Sequence, residues 1–203
     1  MNSKKNTRNE IKDMEVGLQM LADIKSKYGI KGIQAVRFMK DSLVADKMGD
    51  VKMNMDFHGW DGEFKNGVYF ENKNVSASAK SPISFSLKFQ DTSDEKLEEL
   101  KEGVICSTSF FDDGKVYPGF IMVGNTRNVG DLLEMSYNPA TRKSCQVSMP
   151  RCLKHGFKIV TWEYDKKTTW DIITTKFPCL GTIMSIDDIY TKRDLKNLVA
   201  DMM

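Results

Sequence analysis

The stretch His58–Lys73 reads His-Gly-Trp-Asp-Gly-Glu-Phe-Lys-Asn-Gly-Val-Tyr-Phe-Glu-Asn-Lys and predicts a β-hairpin. Apolar-rich runs flank Asn66-Gly67, and Asn-Gly between such runs is the strongest short-range hairpin signal. Side chains alternate between the two faces of a strand, so Glu71 and Lys73 share one face of the second strand. The hairpin therefore brings an acid and an ammonium group side by side.

The length of the hairpin loop decides whether Asp61 joins this pair. A two-residue turn pairs Asp61 with Asn72, whose side chain points to the opposite face from Glu71. A three-residue loop, with Gly67 in the left-handed conformation, pairs Asp61 with Glu71 instead. The position of Asp61 is thus a direct consequence of loop geometry.

The three side chains, once together, suggest a metal site. Directly opposed carboxylates such as Asp61 and Glu71 repel each other, and a cation between them removes the repulsion. Two carboxylates beside Lys73 suit Mg²⁺, which takes oxygen ligands. The alternative is a solvated hairpin face, because Glu and Lys are common on exposed strands.

Composition points to an ordinary globular protein. The chain has 203 residues, 40% hydrophobic and 29% charged, with a net charge of +2, so one domain with a sizeable core is expected. Any anion-binding surface must come from local clustering of charge. No run of about 18 apolar residues exists, and we expect a cytoplasmic protein without a membrane span. The cysteines are scattered without a C-x-x-C pair, which favours buried or incidental thiols over a zinc site.

Hydrophobic periodicity predicts an α/β chain organised as one integrated domain. We assign residues 1–50 to an N-terminal helical region, 51–160 to the core and 161–203 to a C-terminal accessory extension. The apolar stripe of the helix predicted over 9–28 either packs on its own core or forms a seam with a second copy of the chain. The other predicted elements are one helix or a broken pair over 30–48, strands over 51–57, 104–111, 116–123 and 157–164, and helices over 94–101 and 186–202.

Two polar, cationic segments are candidates for nucleic-acid contact, although each is also typical of a plain surface loop. The first spans 74–88 and offers hydroxyls and lysines of the kind that bind phosphate oxygens. The second spans 142–151 and mixes cations with Ser and Gln, which reach base edges as well. The candidate phosphate contacts are Ser76, Lys80, Lys88 and Arg142; the candidate base-reading residues are Lys143, Ser144 and Gln146.

Three collinear segments resemble the PvuII type of restriction endonuclease, within the PD-(D/E)xK nuclease superfamily. Residues 27–30 are similar to that family's helix end and Gly-Ile dimerisation segment. Gly59-Trp60-Asp61 followed by Tyr69-Phe70-Glu71-Asn72-Lys73 resembles its metal-binding segment, with the same gap between Asp and Glu. Residues 150–159 are similar to its Pro…His-Gly-Thr-Lys-Ile ending. The resemblance covers roughly 11–160 of the sequence.

The resemblance implies a restriction-endonuclease-like core, with a mixed central β-sheet flanked by helices and an N-terminal helical dimerisation region. The implied function is that of a Mg²⁺-dependent type II enzyme, a homodimer hydrolysing phosphodiester bonds in double-stranded DNA at a short palindrome. Asp61 and Glu71 would be metal ligands, and Lys73 would position or activate the attacking water. A DNA methyltransferase acting on the same site would be the cognate partner.

The sequence also departs from the family pattern. Ser86, Leu87 and Lys88 stand where the family member has consecutive histidines, Lys143-Ser144 replaces tandem Asn, and His58 stands near a family glutamate. These departures imply a different target sequence and a modified active-site shell, for which His58 and Glu63 are the candidates. Two other functions stay open: a structure-selective repair or recombination nuclease of the same fold, and a non-catalytic DNA-binding module.

Overall fold

The computed structural model describes residues 8–28, 34–54, 60–77, 86–90, 92–100, 103–112, 116–136 and 144–203. The strands in chain order are β1 Val51–Met53, β2 Gly62–Phe64, β3 Tyr69–Ala77, β4 Ser86–Gln90, β5 Gly103–Asp112, β6 Val116–Asn125, β7 Ser144–Ser148, β8 Lys158–Thr161 and β9 Ile189–Thr191. The α-helices are α1 Arg8–Tyr28, α2 Gln34–Met48, α3 Asp94–Glu99, α4 Thr126–Glu134, α5 Met149–Lys154, α6 Lys166–Lys176 and α7 Leu195–Ala200.

Within the described residues, seven strands form one sheet in the order β1-β2-β3-β5-β6-β8-β9. The pairs β3–β5 and β8–β9 are parallel, whereas the remaining neighbours are antiparallel. Helices α1, α2 and α7 cover one face, and α3 to α6 contribute to the core on the other. The predicted α/β class with a mixed central sheet flanked by helices is therefore confirmed at this level.

The hairpin of β2 and β3 has the three-residue loop. The Phe64 amide donates to the Val68 carbonyl at 2.7 Å, and the Gly67 amide donates back to the Phe64 carbonyl at 2.9 Å. Gly67 has φ +87°, a value that side chains disfavour and glycine tolerates. Glu63 consequently pairs with Tyr69, as the three-residue alternative predicted. The next position along the hairpin sets Asp61 opposite Glu71.

The N-terminal helices confirm the predicted apolar periodicity. Helix α1 buries Ile11 and Leu18, and α2 buries Val44 and Met48 in the same core cluster. Residues 29–33, which connect the two helices, lie outside the described residues. None of the helices in the described part of the chain combines the length and apolarity that crossing a membrane requires.

Strands β4 and β7 form a separate antiparallel ribbon. The surface-loop alternative for 142–151 is therefore wrong from Ser144 onward, since the alternation of exposed and buried side chains along β7 is that of a strand packed on one face. The surface-loop alternative for 74–88 is likewise wrong at both ends, where β3 extends to Ala77 and β4 begins at Ser86.

The single closing helix predicted over 186–202 is wrong. A 3₁₀ turn at Ile186–Asp188 leads directly into β9, which joins the central sheet beside β8. Only Leu195–Ala200 is α-helical, and this helix buries Leu195 and Val199 against α2 and its neighbours. The last forty residues therefore supply one strand and two helices to the packed structure.

Candidate active site

The backbone of Asp61 is fixed by the end of β1. The Asn54 amide donates to the Asp61 carbonyl at 2.8 Å, and the Asn54 side chain donates to the Trp60 carbonyl at 3.1 Å. The Trp60 ring stacks on Tyr69, with centroids 5.2 Å apart and planes 8° apart. These contacts hold the residues just before β2 against β3, so the backbone position of Asp61 is well determined.

The Asp61 carboxylate is held by two donors. Its Oδ2 accepts from the Asn72 backbone amide at 2.8 Å, and its Oδ1 accepts from Arg37 Nη2 at 3.0 Å. Burial and, after it, the negative charge of Glu71 raise the pKa of Asp61 to about 6, against the opposing effects of Asn72, Arg37 and Lys73. A carboxylate whose charge is disfavoured by a second carboxylate gains from any added cation.

Glu71 and Lys73 form an ion pair on the face of β3 that faces the ribbon. Lys73 Nζ contacts Glu71 Oε1, and the two side chains are 29% and 10% exposed. The same ammonium lies 5.6 Å from the centre of the Phe89 ring. The structure therefore brings together the three residues predicted from the hairpin, with Lys73 the most accessible of them.

A third acidic group, Asp41 of α2, lies behind this site. Asp41 Oδ1 accepts from the side-chain amides of Asn72 at 2.7 Å and Asn74 at 2.6 Å. Arg37 Nε lies 3.7 Å from Asp41 Oδ2, so its guanidinium bridges Asp41 and Asp61. Burial, followed by the charge of Asp61, raises the pKa of Asp41 to about 7.

Arg37 compensates both carboxylates. Burial lowers the pKa of Arg37, but Asp61, Asp41 and Glu71 together raise it above its usual range. The guanidinium is consequently a permanent positive charge in a cluster of three acids. Its side chain stays 46% exposed.

Asn72 occupies the position between Glu71 and Lys73 and uses all of its side-chain hydrogen-bonding capacity. Its Nδ2 donates to Asp41 and, at 2.9 Å, to Asn74 Oδ1. Its Oδ1 accepts from Thr108 Oγ1 at 2.8 Å and from Cys106 Sγ at 3.0 Å. The backbone amide of the same residue binds Asp61. Asn72 is thus a positioning residue that ties β3 to both α2 and β5.

Sequence reasoning missed Arg37, Asp41 and Asn72. A signal for Asp41 was present, because residues 37, 41, 44 and 48 recur at helical spacing, and Val44 and Met48 are fully buried. A carboxylate on a buried helix stripe requires a partner. The identity of that partner depends on the packing of α2 against β3, which no local pattern specifies.

The raised pKa values predict that stability falls with rising pH. Asp41 and Asp61 hold protons in the fold at pH values where the unfolded chain has lost them, since an unperturbed Asp has a pKa of about 3.9. The free energy of unfolding is therefore expected to fall by up to about 5 kcal/mol as pH rises from about 4 to about 7. Urea denaturation at several pH values, without divalent ions, measures this slope.

Asp41→Asn provides the test of the cause. The amide oxygen still accepts from Asn72 and Asn74, but the titratable group is gone, so the slope should become shallower and the variant relatively more stable near pH 8. A slope as steep as that of the wild type would show that Asp41 is not the titrating group.

The donor set fits Mg²⁺ bound by two protein carboxylates. Among the described residues, no group of three or more His, Cys, Asp or Glu side chains is arranged to hold a metal ion. Mg²⁺, however, usually takes one or two carboxylates and fills its remaining positions with waters and substrate phosphates. Asp61 and Glu71 supply such a pair, and their mutual repulsion favours a cation.

An unsatisfied hydroxyl supports a polar ligand at the same face. Ser107 pairs in register with Lys73 on the neighbouring strand. Its hydroxyl is buried and has no hydrogen-bond partner in the part of the chain that the structure describes. A buried polar group of this kind is usually completed by water or an ion.

The remaining predicted site residues are distributed as follows. Lys88 and Gln146 are exposed and directly opposite each other on the ribbon, and Ser144 is exposed two residues away. Glu63 is exposed on β2 beside Tyr69 and shares no ion pair with the three hairpin residues in the described region. Outside the described residues lie His58, Lys80, Arg142, Lys143 and the side chain of Ser76.

Comparison with known proteins finds no matching family model and no matching curated protein sequence.

Proposed function

We propose that this chain is a Mg²⁺-dependent, site-specific endonuclease that hydrolyses phosphodiester bonds in double-stranded DNA. The observation that carries the proposal is the three-residue hairpin loop, whose register sets Asp61 opposite Glu71 with Lys73 on the same face of β3. The resemblance to PvuII-type restriction endonucleases rests on the same residues.

Each of the three side chains has a role in this mechanism. Asp61 and Glu71 would hold the metal ion, which when bound lowers the pKa of a water molecule and stabilises charge on the phosphate. Lys73, accessible beside Glu71, donates hydrogen bonds to the attacking water and to the phosphate oxygens as negative charge builds up. Arg37 and the Asn72 amide orient Asp61 for this task.

The ribbon supports recognition of sequence. A two-stranded antiparallel ribbon fits the major groove of B-DNA. The exposed face of this ribbon is entirely polar among its described residues: Ser86, Lys88, Gln90, Ser144, Gln146 and Ser148. Gln can form a bidentate pair with adenine, and Ser can bind several base edges.

An exposed apolar strip on α1 supports a homodimer. Val16 and Met20 lie one helical turn apart and are 53% and 61% exposed, although α1 buries other apolar side chains. Cutting both strands of a palindrome needs two active sites related by a two-fold axis, which an isologous dimer supplies.

Digestion of long, unmodified plasmid or phage DNA tests the proposal. The wild-type protein is expected to give sharp bands with Mg²⁺ and intact DNA with EDTA, and mapping the fragment ends gives the site. A smear would instead favour a nuclease that selects DNA structure. Intact DNA with Mg²⁺, together with retained DNA binding, would favour a non-catalytic binding module.

Gln146→Ala and Ser144→Ala are expected to relax the site preference. Loss of one bidentate base contact is worth about 1–3 kcal/mol, or roughly tenfold to a hundredfold in discrimination between correct and altered sites. Cleavage of single-base variants of the mapped site measures this ratio. Unchanged specificity and rate in both variants would remove these residues from the recognition surface.

A further inference from the structure

A cavity of about 240 Å³ opens beside Lys73. It lies between β3, β4 and α3 and is lined by Lys73, Lys88, Phe89, Gln90 and Lys96. One water takes up about 30 Å³ in the liquid, so the space accommodates a phosphate group with accompanying waters. Lys96 was not among the residues that the sequence suggested.

The described lining of this cavity carries an excess of positive charge. Lys73 is paired with Glu71, and none of the described lining residues is a carboxylate. Within the described ranges, neither Lys88 nor Lys96 forms an ion pair with an acidic side chain. Ammonium groups brought together without a counter-charge repel one another, and a bound anion reverses that cost.

The rest of the lining suits a phosphate oxygen. Gln90 is exposed and carries two amide N–H donors, which can share one anion with the lysines. Phe89 is only 3% exposed, so the cavity has one rigid apolar wall. The donors come from a strand and a helix of the packed structure, β4 and α3.

We propose that this cavity binds one phosphate of the DNA backbone, next to the phosphate that is cleaved, through Lys88, Lys96 and Gln90. The inference rests on the proposed nuclease function, because Lys73 borders both the cavity and the hairpin carboxylates. The contact fixes the register of the DNA strand relative to Asp61, Glu71 and Lys73. It positions the backbone and carries no sequence information.

The test measures binding separately from cleavage. Fluorescence anisotropy measures the affinity for labelled duplex DNA in EDTA over a range of salt concentrations. It compares wild type with the double variant Lys88→Ala/Lys96→Ala. The control is Lys176→Ala, because Lys176 is an exposed lysine at the end of α6. The double variant should bind roughly tenfold or more weakly at low salt, for all duplex sequences alike. Its slope of log K against log salt should fall by about 0.9, the contribution of the one lost phosphate contact.

A double-mutant cycle identifies the phosphate. Once the cut position is mapped, a duplex with a neutral methylphosphonate next to the cleaved phosphate can be compared with the unmodified duplex. Wild type should bind the modified duplex about tenfold more weakly than the unmodified one. The double variant should bind both duplexes with almost equal affinity, because the methylphosphonate and the substitutions delete the same contact. Additive losses at every position tested would overturn the assignment.

The two proposals fail in different ways. If wild type cuts DNA but the double variant binds with unchanged affinity and salt slope, the cavity assignment is wrong and the nuclease function stands. If wild type never cuts DNA but the lysine variants still weaken binding, the nuclease function is wrong and the phosphate contact stands. Equal thermal unfolding midpoints exclude misfolding as the cause.

Discussion

Lys73→Ala is expected to reduce Mg²⁺-dependent DNA cleavage by about a thousandfold, the range seen when a group that stabilises a transition state or transfers a proton is removed. Lys73 is the only one of the three hairpin residues that can approach a substrate as a donor. Its ammonium contacts Glu71, and its side chain is 29% exposed. The truncation therefore removes the hydrogen-bond donor but little buried surface.

Several readouts separate this loss from misfolding. Single-turnover cleavage gives the rate, anisotropy in EDTA gives DNA affinity, and thermal unfolding reports the fold. Lys52→Ala is the matched control, because Lys52 is exposed on β1 of the same sheet and should leave cleavage unchanged. Lys73→Arg keeps the charge but not the shape of the donor, and an intermediate rate is expected.

Cleavage by Lys73→Ala at the wild-type rate would contradict the proposed mechanism. The hairpin ion pair would then be a structural feature of a partly exposed face of β3. The three-residue loop register would remain, but it would no longer argue for a nuclease.

The hairpin was predictable because its information is local. Asn66-Gly67 between apolar-rich runs, with glycine at the one position of positive φ, leaves few ways to close the loop. The strand period of two places Glu71 and Lys73 on one face whatever the loop length. The position of Asp61 depends on the loop length, and sequence alone left two lengths open that only the fold distinguishes.

The C-terminal region shows where periodicity misleads. Apolar residues at helical spacing over 186–202 predicted one helix, yet two short-range side-chain contacts interrupt it. Asp188 accepts from the Ser185 amide at 2.7 Å, and Asp194 accepts from the Thr191 amide at 2.9 Å. Such turns satisfy the backbone locally and compete with helix, which frees the residues between them to pair with β8.

Asn72→Ala is expected to lower the free energy of unfolding by about 3 kcal/mol, because it leaves several buried polar groups without partners. Asn72 is 1% exposed, and its four side-chain hydrogen bonds join Asp41, Asn74, Cys106 and Thr108. Alanine keeps the backbone amide that binds Asp61. The loss therefore measures the side-chain network alone.

The destabilisation should grow with pH, and this dependence distinguishes the network from simple packing. Hydrogen bonds from Asn72 lower the pKa of Asp41 against the effect of burial. Without them the ionised form of Asp41 is less favoured in the fold, so the variant should lose more stability near pH 8 than near pH 5. Urea denaturation at both pH values, with the exposed Asn197→Ala in α7 as control, measures the difference. A loss under about 0.5 kcal/mol, the usual range for surface substitutions, would mean that water replaces the Asn72 side chain and that Asp41 does not depend on it.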